Sequence, residues 1–283
     1  MSIVVNTNVT SLMVQRNLNA ANNGVSKAIE RLSTGYKINR AADDAAGLSI
    51  AEKMLSQVNG TRVAQENTQH GINLLQTAEG DISVIQDHLQ RIRDLSVQAA
   101  NGTYSSAERA MIAQEVQSRF EEITRLANVS KFSDIPLLSS DNNSGLVLQV
   151  GPNSGADNRL DISDALTKMT ATALNANFTT TGINASFATS QAASDFIQTI
   201  DDALNKVSDA RSKIGAYQNR LESTMDSLLV KSENLSASLS ELRDADIAKE
   251  AAELTKQQIL QQSSATLLAQ ANSNPSVALK LLS

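Results

Sequence analysis

Apolar residues recur in helical steps over most of this chain. Val14, Leu18, Ala21, Val25, Ala28 and Leu32 alternate spacings of four and three, which keeps them on one stripe of an α-helix. Gly35 suits a left-handed C-terminal cap, so this helix is predicted to end near it. A stronger period follows. Leu75, Ala78, Ile82, Ile85, Leu89, Ile92, Ser96 and Ala99 hold an unbroken three-four alternation, the narrow seam of a coiled coil. Extended back to about Ile50, this helix would run roughly 50 residues, or about 75 Å. A compact globule of the same length would be only about 50 Å across, so the pattern predicts a rod. Gly60, Gly71 and Gly80 are expected to be soft points along that helix.

Asn101-Gly102 reads as a turn, and Ile112, Val116, Phe120, Ile123 and Ala127 predict a shorter helix. Beyond Phe132 the pattern changes. Leu146–Val150 reads as a strand, Gly151-Pro152-Asn153-Ser154-Gly155 as a turn cluster, and Arg159–Ile162 as the returning strand. From Thr167 to Ser190 the chain is rich in Thr, Ala, Asn and Ser without a firm period, and is expected to form exposed, variable surface. Helical spacing resumes near Ala193 with Ile200, Leu204, Val207, Ala210, Ile214, Tyr217, Leu221, Met225 and Leu228, and continues through Leu235 and Leu242. A last arm places Ile247, Ala251, Leu254, Ala265 and Leu268 together, with Gln258 and Gln261 making its stripe partly polar. Pro275 is expected to end it. The fold class is therefore mainly α, an elongated rod of long antiparallel helices and a terminal coiled coil with a small β-hairpin insert. Residues 1–45 form an N-terminal arm and connector, 46–235 a rod domain with its hairpin region at about 131–190, and 236–283 a C-terminal arm.

Composition sharpens this picture. Aromatics make up 3% of the 283 residues, Trp is absent, and there are only 3 Pro and 12 Gly. Little bulky material exists for a deep core, so burial is expected along seams between helices. The net charge of −6 argues against nucleic acid, which rewards clustered Lys and Arg. Cys is absent, which removes disulfides, thiolate metal sites and thiol nucleophiles. The N-terminal Met1–Asn6 stretch has no basic leader, and no run of about 18 apolar residues predicts a membrane span. If the protein leaves the cell, a route other than a cleaved signal is expected. The connector from Leu32 to Gly47 holds adjacent carboxylates, Asp43 and Asp44; with no histidine or nucleophile beside them, one is expected to cap the next helix. His70 and His88 lie 18 residues apart, not at the spacing two zinc-binding nitrogens need on a helix. Neither a phosphate loop nor a nucleophile elbow appears. No enzyme and no cofactor are expected.

Two amphipathic arms cannot fully bury each other, since each pair of helices hides one stripe. The arm seam is expected to hold Val14, Leu18, Val25 and Leu32 against Ile247, Leu254 and Leu268. On the long helix, Arg91, Leu95 and Gln98 lie off the main seam with helical spacing, a second face available to another molecule. A heterologous contact that does not close into a ring propagates into a fibre.

Several segments resemble bacterial flagellins, roughly over residues 1–180 and 190–283. They are Ile3-Val4-Val5-Asn6-Thr7-Asn8, Leu32-Ser33-Thr34-Gly35, Ile38-Asn39 and Asp43-Asp44-Ala45-Ala46-Gly47 near the start, then Gly215-Ala216-Tyr217-Gln218-Asn219-Arg220, Asp244-Ala245-Asp246, Gln258-Ile259-Leu260-Gln261-Gln262 and Leu267-Leu268-Ala269-Gln270-Ala271-Asn272. The resemblance implies that the termini pair as a coiled coil lining the filament's inner tube, and that residues from about 46 to 235 form the outer tube. It also implies a self-assembling helical homopolymer, exported unfolded through the flagellar type III apparatus, with a chaperone on the C-terminal arm. Hook-associated and cap proteins are further implied partners. Gln90-Arg91-Ile92-Arg93-Asp94-Leu95-Ser96-Val97-Gln98 looks like the segment recognised by Toll-like receptor 5, with Arg91, Leu95 and Glu115 matching the residues that carry recognition in relatives. Gln90, Arg93 and Gln98 join them as expected receptor or subunit contacts. A metalloprotease-bearing flagellin, a hook–filament junction protein and a secreted coiled-coil adaptor are the rival readings.

Overall fold

The computed structural model describes residues 7–139 and 145–280, with side chains described through 273. The Ile3–Asn6 motif lies outside the described residues. In chain order the elements are α1 (Val9–Thr34), α2 (Ala45–Ala100), α3 (Ser106–Val129), β1 (Lys131–Phe132), β2 (Ile135–Pro136), β3 (Val147–Gln149), β4 (Arg159–Asp161), α4 (Ala171–Leu174), α5 (Thr180–Ser186), α6 (Ser190–Arg243) and α7 (Ile247–Lys280). The chain divides into two compact units, Met1–Ser56 with Asn234–Ser283, and Gln57–Glu233.

In the first unit, α1 opens on Asn8, whose side-chain oxygen accepts from the Ser11 N–H at 3.0 Å. It closes on Gly35 at φ 73°, a left-handed cap that a β-carbon would strain. The connector is tied to the end of α6. The Lys37 N–H donates to the Arg243 carbonyl at 2.7 Å and the Ala245 N–H to the Gly35 carbonyl at 2.8 Å. The Arg243 guanidinium sits 4.0 Å from the centre of the Tyr36 ring. Of the two candidate carboxylates, Asp44 caps α2, accepting from the Gly47 N–H at 2.8 Å. Asp43 instead binds Lys27 at 2.6 Å, and that ammonium holds its carboxyl below the ordinary value.

In the second unit the predicted seam of α2 is fully buried from Leu75 to Ala99. Two helices flank it, both antiparallel. On one side α3 returns, with the Ser130 hydroxyl donating to Asp81 at 2.5 Å. On the other lies α6, where Arg93 meets Asp201 at 2.6 Å, Arg211 donates to Gln86 at 2.7 Å, and Gln218 donates to Glu79 at 3.1 Å. The pair β3–β4 is antiparallel, with Leu148 opposite Leu160. It rests on two glycines of α2. A β-carbon on Gly71 would stand 2.3 Å from Leu148 Cδ1, and one on Gly60 2.9 Å from Pro152 Cβ. These positions are close approaches within a continuous helix, not soft points. A second hairpin, β1–β2, turns through Ser133 and Asp134 at φ 46° and 68°, the mirror-image turn that matches strand twist.

The stretch from Thr167 to Ser190 departs from expectation. Met169, Ala171, Leu174, Phe178, Ile183 and Phe187 are all buried, on α4, α5 and their flanks. Phe178 stacks on Phe120 of α3 at 4.2 Å, and Phe196 meets Phe178 and Phe187 edge-on at 5.7 and 5.4 Å. Short elements with irregular apolar spacing have no period to read, yet their side chains converge on one aromatic cluster. No strand follows β4 among the described residues, so the hairpin itself ends at Asp161.

Candidate functional site

Helices α1 and α7 pair antiparallel. Arg31 binds Glu250 at 2.9 Å, the Gln261 amide donates to Asn22 at 2.8 Å, and the Ser11 hydroxyl donates to Asn272 at 2.7 Å. On α1 the seam is as expected, with Ala21 and Ala28 buried and Val14, Leu18, Val25 and Leu32 half-buried. The facing stripe of α7 is Glu250, Leu254, Gln257, Gln261, Ser264, Leu268 and Ala271, a regular heptad with only three apolar members. Leu254 and Leu268 belong to it. Ile247 does not, being 53% exposed: in the register of Arg31 with Glu250 it falls opposite Thr34, the last residue of α1. Ala251, Gln258 and Ala265 are likewise exposed, and Gln257 occupies the seam where Gln258 was expected. Gln257 fits because Gly24 faces it; a β-carbon there would come within 2.6 Å of the Gln257 carboxamide carbon.

Helix α7 also runs through Pro275 to Lys280. A proline has no N–H to offer the carbonyl four residues back, which here belongs to Ala271. The Asn8 side-chain amide supplies the missing donor, at 2.7 Å. Asn8 therefore caps α1 with its oxygen and completes α7 with its nitrogen.

Several large aliphatic side chains of this pair point outward. Leu12, Ile259 and Leu267 are 64%, 60% and 55% exposed, and Val9, Met13 and Ile29 are also exposed. Fully burying each such side chain is worth roughly 1.5–3 kcal/mol, so the outer faces keep association energy that the pairing of α1 with α7 leaves unused. The sequence reading sought one stripe per arm and missed this second set. Its only signal was a large aliphatic residue off the heptad.

The α2–α3 face gathers some of the expected contact residues and separates others. Gln90, Arg91 and Gln98 are exposed. Arg91 lies 3.7 Å from Glu115, which also binds Arg119 at 2.9 Å. Gln98 donates to the Tyr104 hydroxyl at 2.8 Å. Arg93 turns away, committed to Asp201 of α6. Leu95 is the correction: it is 3% exposed and part of the core. Flanked by α3 and α6, α2 buries a band wider than its two-position seam, and Leu95 falls inside that band.

The bacterial flagellin N-terminal helical region matches residues 5–143, and the bacterial flagellin C-terminal helical region matches residues 197–282. The flagellin FlaB1 of Treponema pallidum is 38% identical, covering 99% of this chain and 100% of its own length. The chain belongs to the bacterial flagellin family. A flagellin of Halalkalibacterium halodurans is 42% identical over 99% of the chain and all of its own length, and relatives from Treponema phagedenis and Brachyspira hyodysenteriae carry the name of flagellar filament core proteins. In this flagellin the two matched regions take in α1–α3, most of α6, and α7. The part between them holds β3–β4, α4 and α5. A flagellar hook-associated protein from Vibrio parahaemolyticus shares the fold, with a TM-score of 0.58 at 16% identity over 71% of this chain and 100% of that one.

Proposed function

We propose that this chain is a structural subunit that polymerises into the bacterial flagellar filament and serves swimming motility at the cell exterior. What supports the reading is the terminal pair, whose inner seam is largely polar on α7 while Leu12, Ile259 and Leu267 face outward. Apolar faces left over after pairing are satisfied by further copies, and a repeated heterologous contact gives an open helical polymer. Export in an unfolded state through the flagellar type III apparatus, a chaperone on α7, and contacts with hook-associated and cap proteins accompany this reading through the family. Relatives named flagellin that match over their whole length weigh against the rival hook–filament junction protein, which shares terminal helices but builds only a collar. The test is seeded assembly followed by electron microscopy, comparing the intact chain with one lacking residues 1–35 and 250–283. Long filaments from the intact chain alone are the expected result. An intact chain that merely caps the seeds would move the junction reading ahead.

A second reading concerns Toll-like receptor 5. It is favoured by Arg91 and Glu115 standing side by side on an exposed face, an arginine being common hot-spot chemistry. Leu95 enters this proposal as a support beneath the face rather than as an anchor. A cell reporter response to the monomer that falls in Arg91→Ala is expected; a silent intact monomer would remove the reading.

A further inference from the structure

Helix α6 carries charges of both signs on one side, acidic toward its start and basic toward its end apart from Lys206, whose ammonium donates to the Leu174 carbonyl at 2.6 Å. Asp195, Asp202 and Asp209 recur every seven residues and all are exposed. At 3.6 residues per turn, such steps stay within about 20° of one line. Eighteen residues complete five turns, so Arg220 stands on the line of Asp202, with Lys213 and Lys231 about 20° from it. These three cations are exposed as well. Neutral Gln191 and Gln198 amides donate to Asp195 and Asp202 at 3.0 and 3.2 Å, which adds no opposite charge to either carboxylate. None of these six charged residues forms an ion pair among the described residues.

The basic end is also concave. A groove of about 240 Å³ lies between the β3–β4 hairpin and α6, lined by Gly151, Pro152, Asp157, Arg159, Arg220 and Lys231 among others. Three cations there face one carboxylate. Arg159, from β4, is exposed and makes no ion pair among the described residues either.

We infer that this basic groove receives the acidic stripe of a second copy of the chain, in a head-to-tail contact along α6. The occupant is argued from charge complementarity, since the same helix face supplies both halves of the contact about 27 Å apart. Groove and stripe are separate patches, so a copy whose groove holds one neighbour and whose stripe enters another makes a heterologous contact that repeats; an antiparallel pair exchanging both contacts would close as a two-fold dimer and leave seeds unextended. The inference rests on the filament reading and adds the contact that orders copies end to end. Exposed charge pairs contribute little attraction individually, but they exclude a misaligned neighbour by like-charge repulsion and steer the incoming copy.

The test uses full-length chains and seeds of the native protein. One variant reverses the groove, Arg220→Glu with Lys231→Glu; the other reverses the stripe, Asp202→Lys with Asp209→Lys. Each alone is expected to elongate seeds about tenfold more slowly or worse, as like charges then meet. An equimolar mixture should recover near-native elongation, because each reversed surface finds its reversed complement on the other variant. That recovery also shows that neither variant fails through misfolding. Native-like elongation by either variant alone, or a mixture as slow as its components, overturns the contact while leaving the filament reading intact. Failure of the native chain to elongate overturns both. Calorimetric titration with inorganic phosphate covers the remaining occupant: heat that depends on the groove, with elongation untouched by reversal, would reassign it to a free anion.

Discussion

At the scale of single residues, two glycines of α2 separate backbone softness from close approach. Gly80 has nothing within 4 Å of a β-carbon, whereas Gly60 faces the Pro152 ring and, at 3.3 Å, its Cα. Gly80→Ala should therefore raise stability by about 0.5–1 kcal/mol through helix propensity. Gly60→Ala should lower it by about 1–3 kcal/mol through overpacking against a ring that cannot swing aside. Paired denaturant titrations check both. Asn8 offers a sharper case, since it satisfies the Ala271 carbonyl that Pro275 cannot reach. Asn8→Ala removes a helix cap and a side-chain donor together, a loss of about 1–2 kcal/mol from the α1–α7 pair. Pro275→Ala restores an N–H to that carbonyl, so in the double variant the Asn8 loss should shrink to the cap alone. Amide exchange of α1 in the full four-variant cycle reads this directly; equal Asn8 losses in both backgrounds would refute the coupling.

Whole elements are governed by their ends as much as by their stripes. The start of α3 is a reciprocal box: the Glu108 carboxylate accepts from the Ser105 N–H at 2.7 Å while the Ser105 hydroxyl accepts from the Glu108 N–H at 3.3 Å. The Ser105 backbone and hydroxyl hold Glu108 below its ordinary value of 4.5. A depressed carboxylate contributes stability above the unfolded value and loses it as pH falls through the lower folded one. Melting measured from about pH 5 to about pH 3 should show this loss in the native chain and a smaller one in Glu108→Gln. Such a Ser-x-x-Glu box could be read from sequence, as could Gly35 and the heptads of α1 and α2. The elements α4 and α5 could not. Their apolar residues follow no period, and only the ring of Phe120 on another helix explains why Phe178 is buried.

For the whole molecule, two helical regions shared with other flagellins place the weight of function on association. The outward aliphatics of α1 and α7 are the surface to test. Leu12→Gln with Leu267→Gln should leave helix content unchanged, because both side chains are exposed in the isolated chain. In seeded assembly the same double variant should stop elongating, since each lost burial removes roughly 1.5–3 kcal/mol at every copy. Circular dichroism and light scattering on one sample separate the two outcomes. Unimpaired elongation would show that these faces do not carry the polymer.

The sequence by itself determined what depends on local period: the mainly α class, the long helix with its buried seam, the hairpin near residues 147–161, and α1 with its glycine stop. Its segments also carried the family. What a periodicity cannot say is which of two helix sides meets a neighbour. Only the tertiary structure decided that Leu95 belongs to the core, because α2 is flanked by two helices rather than one. Only it decided that α7 turns Gln257 and Gln261 inward and Ile259 and Leu267 outward, and that α7 continues past Pro275 with a side chain from the opposite end of the sequence completing its hydrogen bonds. Local spacing follows from backbone geometry within one turn. The choice of partner is made by residues on other elements, as far away in sequence as Asn8 is from Ala271.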